Sequence, residues 1–420
     1  MSPDARLLCT TLLLALLAVA GSASAQDRDP APGVDTPAAP PAPASAPADA
    51  QAAAPAAQNT QKPADGFTVG GFTFKPGGRI KLDIIQDFKP IDNEDSFDTR
   101  SIPINAIERI NSNLIAKESR LSLDIRGKVD DHELRMYIEG DFYGTSSAFR
   151  LRHAYGTYKG LLAGQYWSTF VDEDNLPRTI DFEAPTAFAQ IRQAQLRYTI
   201  KFGGDNTWAL AVEDNKSSII PPFDIEGRAE FPSPDFVTRL RFNFSSGHIT
   251  TAAFVGASRF RPSELDDDAE PDHDPDTVPL WGTALSANFE TVGRDTIYGV
   301  ATFGDGIGRY RGGLAAVPDQ NGRLHAVRAI AFMGGYEHFW ATKWSTNAVF
   351  SIADADEQPF FTDEINRRLT YGAVNLLYWF LGDRGWMGVE YLYGRREVFA
   401  ADPNSATAHR LQYAVRFNLP

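Results

Sequence analysis

Residues 77 to 88 read GGRIKLDIIQDF, so Arg79, Lys81 and Asp83 alternate with Ile80, Leu82 and Ile84. Successive side chains of an extended backbone point to opposite faces, so this segment is a strand that meets water on one side and an apolar medium on the other. The pattern recurs. Between 118 and 129, Arg120, Ser122, Asp124 and Arg126 stand against Leu121, Leu123 and Ile125. Past the turn at Asp130-Asp131, Arg135, Tyr137, Glu139 and Asp141 stand against Leu134, Met136 and Ile138. Two more segments meet at Gly160. In the first, alternation puts Arg150, Arg152, Ala154 and Gly156 on one face and Leu151, His153, Tyr155 and Thr157 on the other. A later segment sets Gln193, Gln195, Arg197, Thr199 and Lys201 against Ala194, Leu196, Tyr198, Ile200 and Phe202.

Further strands are expected near 208–213, 235–244, 249–260, 280–290, 295–303, 324–340, 343–353, 369–381, 385–398 and 409–417. Tight turns such as Gly203-Gly204-Asp205, Ser245-Ser246-Gly247 and Gly382-Asp383-Arg384 favour hairpins. Long polar connections lie at 89–117, 214–234, 261–279, 304–323 and 354–366. Long loops alternating with short turns predict an all-β fold: a transmembrane antiparallel barrel of about sixteen strands, wide enough to hold an aqueous channel. A charged stretch from Trp167 to Ala189 is then the loop expected to fold inward and narrow that channel. Trp208, Trp281, Phe339, Trp340, Trp344, Tyr378, Trp379, Phe380, Trp386, Tyr391 and Tyr393 gather near strand ends, as the aromatic girdles of such a barrel do. The competing fold, a soluble sandwich, would have to bury both the aromatics and the arginine faces.

Composition narrows the field. The 420 residues carry 54 Asp+Glu against 40 Lys+Arg, a formal net charge of −14 that disfavours a nucleic-acid partner. The hydrophobic fraction of 43% exceeds that of a disordered chain, yet nothing after residue 25 resembles a membrane-spanning helix. Residues 1–25 read as a secretory signal: Arg6, an apolar run from Leu7 to Ala20, and Ala23-Ser24-Ala25 before Gln26. The one cysteine, Cys9, lies inside it, so no disulfide framework or thiolate site is expected beyond it. Residues 26–65, nearly all Ala, Pro, Ser, Asp and Gln, read as an extended periplasmic tether, and 66–420 as the barrel. Leu411, Tyr413, Val415 and Phe417 alternate with Arg410, Gln412, Ala414 and Arg416, as outer-membrane strands end, although Asn418-Leu419-Pro420 follows.

The faces assigned to the lumen bear Arg79, Arg120, Arg126, Arg135, Arg150, Arg152, Arg197, Arg239 and Arg241. Guanidinium groups stay charged and grip carboxylates bidentately, so such a ladder would select small anionic solutes. The loop offers Asp172, Glu173, Asp174, Arg178, Asp181 and Glu183, either facing the ladder across a gap or paired to the wall as props. Catalytic signals are weak. His153 has Ser146 and Ser168 nearby, but neither serine sits in GxSxG. Asp272-His273-Asp274 lies in a Pro/Asp-rich loop, Gly304-Asp305-Gly306-Ile307-Gly308 lacks a strand–helix context, and no metal or cofactor is expected. An outer-membrane barrel that does not conduct, acting as a lipase-like enzyme or an adhesin, is the alternative function.

Four passages resemble the DcaP-like family of outer-membrane porins: GGRIKLDIIQDF (77–88), ESRLSLDIRG (118–127), the LRHAYGTY–LLAGQYWSTF pair (151–170) and LRY (196–198). The resemblance covers roughly residues 67–417. It implies a homotrimeric, sixteen-stranded channel embedded in outer-membrane lipid and admitting small anions, dicarboxylates among them. Members of the family often carry a coiled-coil-like segment before the barrel, and this chain has Ala/Pro sequence there.

Overall fold

The computed structural model describes residues 66–215, 218–219, 227–262, 275–358, 360–361, 365–400 and 403–419. The expected signal, the tether and Asp272-His273-Asp274 lie outside the described residues. The strands that close the fold are β1 (Phe72–Asp87), β2 (Asn111–Ile115 continued by Arg120–Val129), β3 (His132–Asp141) and β4 (Arg150–Tyr158). They continue as β5 (Leu161–Trp167), β6 (Arg192–Phe202), β7 (Asn206–Glu213) and β8 (Gly227–Glu230 continued by Asp235–Phe244). The second half comprises β9 (Gly247–Pro262), β10 (Asp276–Glu290), β11 (Thr296–Asp305), β12 (Arg328–Ala341), β13 (Trp344–Ala355), β14 (Asn366–Phe380), β15 (Gly385–Val398) and β16 (Ser405–Asn418). Each pairs antiparallel with its neighbours, and β1 pairs with β16 from Arg79↔Asn418 to Asp87↔Arg410, closing a sixteen-stranded barrel with no free edge.

Turn chemistry sets one rim. Asp130-Asp131 and Lys159-Gly160 take positive φ (46°, 62°, 50° and 85°), the conformation that matches the strand twist in two-residue hairpins. The opposite rim carries the long loops, which in such barrels face outside the cell. Outward side chains make the apolar band: Ile80, Val255, Leu285 and Ile330 stand 56–58% exposed in the isolated chain, the state of groups that meet lipid. Inward positions differ between the two halves of the wall. Much of β7 and β9–β16 presents alanine (Ala211, Ala252, Ala284, Ala331, Ala373, Ala408), all buried, and this leaves volume for a loop to lie against it.

Several expectations are corrected. Register in β4 slips between Leu151 and His153, which oppose Gly140 and Glu139, so Arg152 is an extra residue. The bulge keeps Arg150 and Arg152 inward but turns His153 and Tyr155 inward as well, both buried, so Ala154 and Gly156 do not share the arginine face. Trp379 and Trp386 are 8% and 4% exposed and oppose each other on the inner wall, so they are not girdle residues; Trp208, Trp340 and Trp344 are exposed on the outside. The connection 89–117 contains Asn111–Ile115, the connection 214–234 contains Gly227–Glu230, and the strand expected from 324 begins at Arg328 after a small hairpin (Ala316–Pro318 with Leu324–Ala326).

Candidate functional site: the lumen constriction

The loop after β5 enters the barrel and follows the inner wall. Ser168 Oγ donates to Glu213 on β7 at 2.6 Å. Ser286 Oγ on β10 donates to Asp172 at 2.6 Å, and Asn175 Nδ2 donates to the Gly299 carbonyl on β11 at 3.1 Å. Asn375 Nδ2 on β14 donates to the Arg178 carbonyl at 2.7 Å, and the amides of Ile180 and Asp181 donate to Glu390 on β15 at 2.9 and 2.8 Å. The return limb is fixed where Ala187 N donates to Ser351 Oγ on β13 at 2.9 Å and Gln190 N to the Tyr310 carbonyl at 2.9 Å. These anchors face inward on successive strands, and Phe170, Val171, Ala187 and Phe188 pack on the alanine-rich wall between them. A buried backbone must satisfy its amides, and wall side chains do so here.

The loop carboxylates are tied to the wall and do not confront the arginines as a set. Asp172 meets His248 Nε2 at 2.9 Å, Glu173 accepts from Tyr166 Oη at 2.7 Å, and Asp174 accepts from Arg241. Asp181 accepts from Phe97 N at 2.9 Å and Arg410 Nη1 at 3.3 Å; Glu183 accepts from Gln190 Nε2 at 2.7 Å and Arg100 Nη2 at 3.2 Å. Arg178 pairs with Glu337 at 3.1 Å and covers the Trp379 ring. Burial works against ionisation of Asp172, but the hydrogen bonds from His248 and Ser286 outweigh it and hold its carboxyl down at about 2. Burial, with Asp98 close by, pushes the Glu183 carboxyl up to about 8.

The nine arginines expected to line the lumen differ in partnership, and Arg239 and Arg241 bond to the loop itself. Arg79 donates to Glu118 at 2.9 Å, and Arg120 donates to Glu139 at 3.3 Å. Arg126 and Arg135 share Asp124 at 2.8 and 3.0 Å. Arg150 grips Asp141 at 3.0 and 2.9 Å; Arg152, fully buried, bridges Glu139 at 3.1 Å and Asp141 at 2.7 Å. Arg241 holds Asp174 and lies 3.2 Å from His248 Nδ1. Two of the nine have no carboxylate partner among the described residues: Arg197 lies 5.3 Å over the Tyr166 ring, and Arg239 donates only to the Val171 carbonyl at 2.6 Å.

Sequence reasoning passed over Arg192 as a site residue. It sits 4.6 Å over the Trp167 ring, one Nη is buried without a partner, and the cations Arg152, Arg120 and Arg150 lie within electrostatic reach. Arg192 opens β6, one residue before the run that alternates from Gln193, and that position is its signal in the sequence. Lys81 and Arg416, both cationic, flank the inner Trp386 ring, and Lys81 Nζ donates to Glu118 and to the Ile180 carbonyl of the loop. Around the segment 178–183 the wall gathers Arg79, Lys81, Arg120, Arg150, Arg152, Arg192, Arg410 and Arg416 with Asp83, Asp87, Glu118, Glu139, Asp141, Glu337 and Glu390, so the two signs nearly balance there. Ser168 is engaged by Glu213, and His153 is packed among Tyr137, Tyr166 and Trp167, so no serine–histidine pair forms there. Asp172, Asp174 and His248 converge closely enough to hold a cation, but Arg241 occupies that position by bonding Asp174 and His248.

Comparison with known proteins agrees with this geometry. The model of the DcaP outer membrane protein family matches residues 51–419. The outer membrane channel DcaP of Acinetobacter baumannii superposes with a TM-score of 0.73 at 21% identity, over 84% of this chain and 100% of that one. The anion-selective porin from Comamonas acidovorans gives 0.53 at 9% identity, over 83% and 100%. A trimer form of OmpT, an outer membrane protein of Vibrio cholerae, gives 0.52 at 11%, also over 83% and 100%. At these identities the likeness carries the fold. No curated protein sequence matches the chain.

Proposed function

Because the chain belongs to the DcaP outer membrane protein family and is a porin-like channel of the bacterial outer membrane, we propose that it passes small hydrophilic solutes with a preference for anions, carboxylates and dicarboxylates among them. The observation that carries this reading is the unequal partnership of the wall. Arg192, Arg197 and Arg239 are inward cations that form no ion pair with a carboxylate among the described residues, so more of their field remains for a passing anion. Arg79, Arg120, Arg126, Arg135, Arg150, Arg152 and Arg241 contribute as a background of paired charge, and their carboxylate partners fix their positions. Stacking on Tyr166 and Trp167 holds Arg197 and Arg192 in place without neutralising them. Asp172, Glu173, Asp174, Asp181 and Glu183 are loop anchors in this reading, and Arg178, half-exposed beside Glu337, lies on the solute path.

Assembly as a homotrimer in outer-membrane lipid is part of the proposal. It is supported by the outward apolar band and by the trimer form described for one structural relative. No cofactor or metal enters the mechanism; the work is diffusion through a field. The test is the reversal potential in a salt gradain of planar-bilayer recordings: Arg197→Gln together with Arg239→Gln moves it towards cation preference, and an unmoved potential removes those residues from selectivity.

A further inference from the structure

A second cavity lies away from the arginine wall, between the return limb of the loop (Glu183 to Gln190) and the inner ends of β12–β14. It holds about 80 Å³ of free space and opens in part to solvent. Phe97, Val327, Ile365 and Leu369, with Ala329 and Ala353, make most of it apolar. Arg311, from the segment between β11 and β12, also lines it. This guanidinium is only 8% exposed, its Nε is buried without a partner, and the side chain makes no hydrogen bond or ion pair among the described residues. The charge acting on it is Arg100, of the same sign, and burial with that neighbour pushes Arg311 down to about 10, which leaves it charged at neutral pH. Arg100 is itself committed, to Asp98, to Glu183 and to the carbonyls of Arg311 and Gly312. Two more buried polar atoms in the same cavity lack partners, Thr99 Oγ1 and Gln190 Oε1.

We propose that this cavity binds an organic anion with an apolar body, a carboxylate on an aromatic or branched aliphatic frame. A buried, unpaired guanidinium is costly, and a carboxylate relieves it with two parallel hydrogen bonds. The Thr99 hydroxyl can donate to the same carboxylate, and Gln190 Oε1 can accept from a hydroxyl or amide on the frame. The apolar walls exclude a strongly hydrated dianion, for which a second charged end would be stranded. The carboxylates that also line the cavity are engaged, Asp98 and Glu183 by Arg100 and Asp354 by Arg368, which leaves Arg311 as the buried charge open to a ligand among the described residues. The site differs from the solute path in being lined mainly by apolar groups and in engaging the loop from its return limb.

The inference is tested by equilibrium binding, without current, so its outcome is separate from that of the anion-channel reading. Calorimetric titration of the intact protein in detergent with benzoate and with succinate is the measurement. Benzoate is expected to saturate at one per chain and to bind more tightly than succinate. Arg311→Gln should weaken benzoate by roughly tenfold or more, as expected for losing a charged hydrogen bond, and Arg311→Lys should recover part of it. Ala353→Leu, which fills the cavity without touching a charge, should weaken benzoate too, and guards against a misfolded Arg311 variant. Equal binding of the two acids, unsaturable binding, or benzoate affinity unchanged in Ala353→Leu or in a folded Arg311→Gln overturns the assignment.

Discussion

At the scale of residues, partnership decides what an arginine can do. A guanidinium bridged to two carboxylates, as Arg152 is to Glu139 and Asp141, presents little net charge to a solute, whereas Arg197 over Tyr166, with no ion pair among the described residues, presents more of it. One uncompensated charge about 6 Å from an ion in water contributes about 0.7 kcal/mol, roughly threefold in local concentration. The same charge repels a cation as strongly as it attracts an anion, so Arg197→Gln should lower the anion-to-cation permeability ratio by roughly tenfold. Arg150→Gln, which leaves Asp141 with Arg152 as partner, should lower it less. Equal effects in reversal-potential measurements would contradict the distinction. Glu183 gives a pH dependence. Its folded-state pKa of about 8 lies above the ordinary 4.5, so the native loop holds a proton that a freed loop releases. The stability of the return limb thus falls as pH rises from 4.5 to about 8 and is flat beyond. Open-channel noise should grow over that window and Glu183→Gln should abolish the trend; noise that rises equally in the variant would sink it. Alternation in the sequence placed these side chains on the inner face, but it could not show which acid each meets, because ion pairs such as Arg410–Asp87 join residues at opposite ends of the chain.

At the scale of elements, the loop and the bulge are where periodicity failed and succeeded in turn. The charged stretch from Trp167 to Ala189 was recognisable as an inward loop by its length between alternating strands. Its anchoring was not, since the wall prepares for it with alanines, which read in sequence as neutral. Ala252 packs beneath the cluster containing Phe170 and Phe188, so Ala252→Leu should overpack the contact at a cost of about 1–3 kcal/mol and displace the loop. Altered single-channel conductance is the expected readout, and an unchanged conductance would show that the loop does not depend on that wall. The β4 bulge inverts every face after Arg152, so His153 and Tyr155 were misassigned by strict alternation. Gly164, on β5 opposite the bulged strand, has φ 128° and no room for a Cβ, which would lie 2.2 Å from the Ala154 carbonyl. Gly164→Ala should lower the temperature at which the barrel loses its compact, heat-modifiable gel migration; an unshifted temperature would contradict a required glycine there.

At the scale of the whole molecule, the fold was the most legible feature. A two-residue period, short turns at one rim and long loops at the other leave few architectures other than a closed barrel, and sixteen strands leave a lumen that a loop can share with water. What the chain could not disclose was how the loop is seated, with alanines beneath Phe170 and Phe188 and with Lys81, Arg239 and Arg241 bonded to it. Part of that seating is a property of closure, which brings β1 beside β16 and sets Lys81 against the Ile180 carbonyl. The most direct test is the zero-current potential of the reconstituted protein across a potassium chloride gradient, compared with a variant carrying Arg192→Gln, Arg197→Gln and Arg239→Gln. The account predicts an anion-preferring potential that shifts towards cations in the variant while stepwise conductance persists; a silent bilayer, or the same potential in both proteins, would contradict it.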